Sequence, residues 1–172
     1  MENTNLKQKR VFVLCGPAGV GKSTWAYQHM EPEIDVLISR DNIRFMLLND
    51  NEPYFAVEDK VRKMFFNCIE QRSADAECDN VYIDATHLVP KSRAQVMRHI
   101  KGEVKRIAVS FEAPVSIAIE RNKQRTGRAL VPESVIYNMA DSFIIPTLKE
   151  GFDEIWHINA DGEIVKEVKN NE

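Results

Sequence analysis

Apolar residues along this chain fall into two alternating patterns. Short runs at 11–14, 36–39, 81–84, 107–111 and 155–158 are bounded by polar residues or glycine. They are mostly rich in β-branched or aromatic side chains, as strands covered on both faces should be. Between them lie longer segments with apolar residues every three or four positions, predicting helices over 22–30, 41–48, 55–78, 91–101, 114–124 and 132–143. In the longest, Val57, Val61, Met64, Phe65, Cys68 and Ile69 form one stripe and read as core. Pro90 and Pro132 sit where proline is tolerated at a helix start, while Pro53 and Pro146 mark connections. Strand and helix in alternation predict β-α units around a central, mainly parallel five-stranded sheet with helices on both faces, a three-layer α/β fold. After the fifth run, Ala160-Asp161-Gly162 precedes Ile164, Val165 and Val168, which suggests a terminal hairpin.

Composition narrows the class. The 172 residues suit one domain, 1–172, and 44% hydrophobic with 28% charged residues is the balance of a globular protein. No apolar run approaches the roughly 20 residues that span a bilayer. The polar start, residues 1–10, lacks the features of a secretory leader, so a cytoplasmic protein is expected. Cys15, Cys68 and Cys78 form neither a disulfide framework nor a zinc pattern. A net charge of −3 argues against a surface that coats long stretches of duplex. Basic residues nevertheless gather twice. Lys91, Arg93, Arg98, Lys101, Lys105 and Arg106 read as solvated helix faces, whereas Arg121, Lys123, Arg125 and Arg128 have another reading, below.

The octapeptide Gly16-Pro17-Ala18-Gly19-Val20-Gly21-Lys22-Ser23 fits G-x-x-x-x-G-K-[ST] between a predicted strand and a predicted helix. Such a loop wraps its N–H groups around phosphates at a helix N-terminus. Lys22 is expected on the β- and γ-phosphates and Ser23 on Mg²⁺, with Thr24 opening the helix behind. Trp25 can pack in the core or flank the bound base, and core packing is the expectation.

A phosphate-binding loop identifies a donor and leaves the acceptor open. Directly after the second run, Ser39-Arg40-Asp41-Asn42-Ile43-Arg44 places Asp41 at the carboxyl end of a strand, beside the cleft. Asp41 can take the proton of an attacking hydroxyl or can cap the following helix. Arg44, one turn on, can hold an anionic group of the acceptor. The third run ends in Asp84, followed by Ala85-Thr86-His87; this acid can act near Mg²⁺ or orient Arg44 by a salt bridge, and it is not assigned as a metal ligand. Arg121, Arg125 and Arg128 recur at helical spacing and suit either a solvated basic face or, beside a phosphate-binding loop, the basic stripe of a mobile lid. A lone histidine near a cleft, as His87 is, is more often a hydrogen-bonding bystander.

These segments resemble the polynucleotide 5′-hydroxyl kinases, phage and metazoan, within the small P-loop kinases. The resemblance is carried by residues 16–25, by Arg40-Asp41-Asn42-Ile43-Arg44, by Asp84-Ala85-Thr86-His87-Leu88, by Arg121-Asn122-Lys123-Gln124-Arg125, by Val131-Pro132 and by residues 146–152. It implies a P-loop kinase fold with a helical lid, and ATP with Mg²⁺ as cofactors. It also implies Asp41 as general base, Arg44 on the acceptor's neighbouring phosphate, Arg121 and Arg125 on the nucleotide side, and Asp84 and Thr86 on the acceptor side. Where many relatives carry Asn, this chain has His87, and the D-x-D-G-T signature of the phage enzyme's linked phosphatase is absent from the sequence. The expected activity is phosphorylation of a 5′-hydroxyl DNA or RNA end. The alternatives are a nucleoside or small-metabolite kinase and, from another class, an NTP-driven regulatory module, which the pairing of Asp41 with Arg44 disfavours.

Overall fold

A computed structural model describes residues 8–170 of the chain. Residues 1–7, part of the stretch expected to lack a leader, lie outside the described residues. The elements run β1 (Arg10–Cys15), α1 (Lys22–His29), β2 (Asp35–Ser39), α2 (Arg40–Leu47), α3 (Glu58–Ala74), β3 (Asn80–Asp84), α4 (Pro90–His99), β4 (Lys105–Phe111), α5 (Val115–Lys123), α6 (Glu133–Ser142), β5 (Glu154–Ile158) and β6 (Ile164–Lys169). The sheet order is β2-β3-β1-β4-β5-β6, with the first five strands parallel and β6 antiparallel to β5. The sheet therefore has six strands where five were expected. The sixth is the return arm of the expected hairpin, turned at Gly162, whose φ is +86°. Lysine and glutamate on this mostly exposed edge strand discourage further strand pairing.

Strand alternation sorts the core into two layers. Val11, Val13 and Cys15 of β1 face a cluster with Ile43 of α2, Val61, Phe65 and Ile69 of α3, Val96 of α4 and Ile100 just after it. Phe12 and Leu14 face the other side, against Trp25 and Ala26 of α1, Ala118 and Ile119 of α5, and Ile136 of α6. Trp25 is 2% exposed and packs edge-on against Phe12, Tyr82 and Phe111, the core role expected of it. Helices following the neighbouring strands β1 and β3 thus leave toward opposite faces. That divergence opens a crevice at the carboxyl ends of the strands, where open α/β sheets bind ligands.

The helix expected over 55–78 is shorter at both ends. Pro53 and the successive turns Ala56 N–H to Pro53 O and Glu58 N–H to Phe55 O hold residues 53–57 in a loop beside the crevice. At the other end Ser73 Oγ bonds back to Ile69 O at 2.6 Å while accepting Lys101 N–H, and Asp75 receives Glu77 N–H. Met64, read as part of the buried stripe, is 40% exposed.

Arg93 corrects the reading of its basic group as solvated. Its side chain is fully buried and forms a bidentate pair with Glu150, at 2.6 and 2.9 Å, while also donating to the carbonyls of His87 and Ile144.

Candidate active site

The loop between β1 and α1 takes a path that side chains would obstruct. A Cβ on Gly19 would lie 2.3 Å from the Ala118 carbonyl oxygen, so α5 presses directly on the loop. Gly21 caps α1 at φ +101°, the left-handed region. Lys22 folds back over the loop and donates to Gly16 O at 2.9 Å and Pro17 O at 2.6 Å. Burial lowers its pKa to about 8, with Asp84 opposing and Arg125 reinforcing the shift. Gly16 N–H donates to Thr86 O at 2.8 Å, which ties the loop to the end of β3.

Asp84 lies close to this cradle. Its Oδ2 accepts the hydroxyl of Ser23 at 2.6 Å. Burial pushes its carboxyl upward, and Lys22 and the Ser23 bond hold it down. The alternative in which Asp84 orients Arg44 is not what forms, because the partners of Arg44 are Asp41, Tyr54 and Glu58. The glycine path that a Cβ would block, with a hydroxyl and a carboxylate side by side at the helix N-terminus, fits a nucleotide phosphate chain and an oxygen-seeking cation such as Mg²⁺.

Across the crevice stands a second constellation. Ser39 caps α2 by accepting Asn42 N–H at 3.3 Å, which leaves Asp41 free of the capping role its place allowed. Asp41, 58% exposed at its side chain, accepts from Arg44 Nη1 and from Tyr54 Oη, both at 2.6 Å and both on Oδ1. Arg44 itself is 4% exposed. It donates to Glu58 Oε2 at 2.6 Å and lies 4.2 Å from the Tyr54 ring centre. Glu58 also pairs with Arg40 through its other oxygen. Burial would raise the Glu58 carboxyl, but the two guanidinium groups hold it below the usual range. The Nε groups of Arg40 and Arg44 are buried with no hydrogen-bond partner.

Both constellations line one cavity of about 370 Å³ that includes Ala18, Lys22, Ser23, Asp41, Arg44, Asp84, Thr86 and Arg125. The lid arginines do not share a helical face as expected. α5 stops at Lys123, and the side-chain amide of Asn122 clasps Val131 through Nδ2 to O and N–H to Oδ1, which closes a loop. Arg121 then reaches back to Val20 O and Ala160 O, Arg125 lines the cavity, and Arg128 crosses to Asn49 O and Glu52 O. Sequence reasoning missed Tyr54, Glu58 and the crossing of Arg128. No local spacing could have found them, since Tyr54 and Glu58 lie 10 and 14 residues from Arg44 and Arg128 lies 79 residues from Asn49.

A parallel sheet carrying this loop after its central strand, with a second side-chain set across the crevice, defines a P-loop fold of the kinase kind. The chain belongs to the AAA domain family, whose model matches residues 11–146. No curated protein matches it. Among solved structures it is similar to a chain of the Pnkp1/Rnl/Hen1 RNA repair complex, with TM-score 0.65 and 24% identity over 83% of this chain and 46% of that one. It is also similar to a fungal RNA kinase, with TM-score 0.57 and 18% identity over 87% of this chain and 74% of that one. A gluconokinase from Sinorhizobium meliloti 1021 has TM-score 0.58 and 17% identity over 90% and 84% of the two chains. The chain thus spans less than half the length of the RNA repair protein it resembles. At these identities the likeness is one of fold, shared by a chain of an RNA repair complex, an RNA kinase and a gluconokinase alike. No described helix is long and apolar enough to cross a membrane.

Proposed function

We propose that this chain is an ATP-dependent kinase, acting in the cytoplasm, that transfers the γ-phosphoryl group to the 5′-hydroxyl end of a DNA or RNA strand. The observation that carries the proposal is the placement of Asp41, backed by Arg44 and Tyr54, across one cavity from the Lys22 and Ser23 cradle. In this reading the loop from Gly16 to Ser23 and Thr24 holds the ATP phosphates, Arg121 stands on the nucleotide side, and Lys22 and Arg125 balance charge on the moving group. The hydroxyl oxygen forms a bond to the γ-phosphorus as the bond to the ADP oxygen breaks. Asp41 takes the hydroxyl proton, on Oδ2, since Oδ1 already accepts two hydrogen bonds.

Ser23 and Asp84 would hold Mg²⁺, directly or through water, and the cation when bound would neutralise phosphate charge. This moves Asp84 from the acceptor side toward the donor side. Arg44 and Arg40 would meet the acceptor's neighbouring phosphate, which supplies oxygens for their unpartnered Nε groups. Thr86 would stand between the two reactants on the same wall.

A second reading, a kinase of a nucleoside or other small hydroxyl compound, draws support from the depth of Arg44, which a bulky acceptor must reach by displacing one of its present partners. Incubation with labelled ATP and a panel of 5′-hydroxyl oligonucleotides, nucleosides and sugars separates the two. Label on oligonucleotide ends is expected, and label confined to sugars or nucleosides overturns the polynucleotide assignment. In the same assay Asp41→Asn should lose phosphoryl transfer by at least a hundredfold while calorimetry still finds ATP binding. Unchanged turnover would remove Asp41 from the reaction.

A further inference from the structure

A second groove, of about 530 Å³, runs between α3 and α4 on the outer side of their layer, away from the donor loop. Three exposed cations line it: Arg62, Lys63 and Arg98. Among the described residues none of these side chains has an ion pair or hydrogen bond. Helix spacing explains much of this. The residue four before Arg62 is Glu58, whose two oxygens are taken by Arg40 and Arg44, and the residue four after it is Phe66. Asp59 stands four before Lys63 and makes no ion pair with it. The one acid lining the groove, Glu70, is engaged by His99 at 2.8 Å and Lys101 at 3.6 Å. Within the groove the rings of Phe66 and His99 stack at 4.3 Å and 20°.

The groove lies along the helix whose first residue, Glu58, lines the acceptor cleft. Glu58, Arg62, Phe66 and Glu70 form one i, i+4 row along α3, and its first member lines the cleft. At 1.5 Å rise per residue, Phe66 lies about 12 Å along the helix from Glu58, a distance that an extended strand covers in a few nucleotides. Unpaired cations track a phosphate backbone, and aromatic rings among them accept stacked bases without sequence preference.

We infer that the α3–α4 groove is a track for the backbone of a single-stranded nucleic acid whose 5′ end occupies the catalytic cleft. This rests on the polynucleotide reading, adding a site outside the reaction centre that sets affinity by acceptor length. The groove touches no donor-side residue, so it alters neither ATP binding nor the chemical step.

The test uses the full chain and the triple variant Arg62→Ala, Lys63→Ala, Arg98→Ala, all exposed positions, with Arg98→Glu alone as a second variant. Anisotropy is read with a 5′-hydroxyl single strand of about 12 nucleotides, within the span of typical single-strand sites. KM is measured in parallel for that strand and for a dinucleotide. The triple variant should bind the long strand at least tenfold more weakly, with its salt slope reduced by about 2, or roughly 0.7 for each lost contact. Arg98→Glu should weaken it in the same direction. ATP affinity, kcat and the dinucleotide KM should not change. If the wild type labels oligonucleotides and neither variant changes long-strand binding, the groove proposal fails and the kinase assignment stands. If the wild type binds the strand through these residues but labels only small acceptors, the groove binds nucleic acid without delivering its 5′ end to the cleft, and both the track and the acceptor assignment fail. Absence of strand binding by the wild type overturns the groove outright.

Discussion

His87 follows the Asp84 motif, and its surroundings give it a structural role. It holds φ +44°, is 5% exposed, and its Nδ1 lies 2.7 Å from Leu14 O. Nδ1 therefore donates its proton to that carbonyl, and the buried Nε2 has no partner. Burial, with Lys22, Arg40 and Arg93 nearby, lowers the pKa from 6.5 to about 4, against the opposing bond to Leu14. Above pH 6.5 the ring is neutral in folded and unfolded chains alike, and the full stability is present. As pH falls toward 4 only the unfolded chain takes up the proton, so stability is lost. The loss between pH 7 and pH 5 should be about 2 kcal/mol from this one group. Urea unfolding at the two values measures it. His87→Asn should flatten that difference, and an equal loss in the variant would exclude His87 as its source.

At the scale of elements, the connection after α5 and the loop between α2 and α3 behave as one unit. Arg128 donates to Asn49 O at 2.9 Å and Glu52 O at 3.2 Å, so the segment carrying Arg125 is fastened to the segment carrying Tyr54. Tyr54 in turn holds Asp41 and Arg44. Charged donors to carbonyls contribute on the order of 1.5–3 kcal/mol when well formed, enough for about a tenfold effect after solvent screening. Arg128→Ala is therefore expected to raise the acceptor KM about tenfold with little change in ATP affinity. Hydrogen exchange over residues 49–57 should speed up in parallel. If exchange in that loop is unaffected, the two segments are not coupled through Arg128.

For the whole molecule, one buried ion pair joins parts that the sheet alone does not connect. Arg93 on α4 holds Glu150, the carbonyl of His87 after β3 and the carbonyl of Ile144 after α6, while Glu150 also accepts Thr147 N–H at 2.9 Å. Removing one partner leaves a buried charge uncompensated, so Arg93→Ala should cost about 3–5 kcal/mol. Urea denaturation measures this. Replacing both Arg93 and Glu150 with Met should recover part of the loss. A single variant as stable as wild type would mean that the pair does not hold this region.

The chain by itself determined the alternation of strand and helix, the parallel sheet and the phosphate-binding loop. Each rests on residues adjacent in sequence, whose backbone geometry and apolar spacing act locally. It also placed Asp41 and Arg44 one helical turn apart, and their hydrogen bond followed. Tertiary structure decided the rest. It gave Asp84 to Ser23, supplied Tyr54 and Glu58 to the acceptor side, separated Arg121, Arg125 and Arg128, and buried Arg93 while leaving Arg98 in an open groove. An arginine's spacing along a helix does not reveal which anions or carbonyls distant segments will bring to it. Its partners, and hence its role, are fixed only when the layers close.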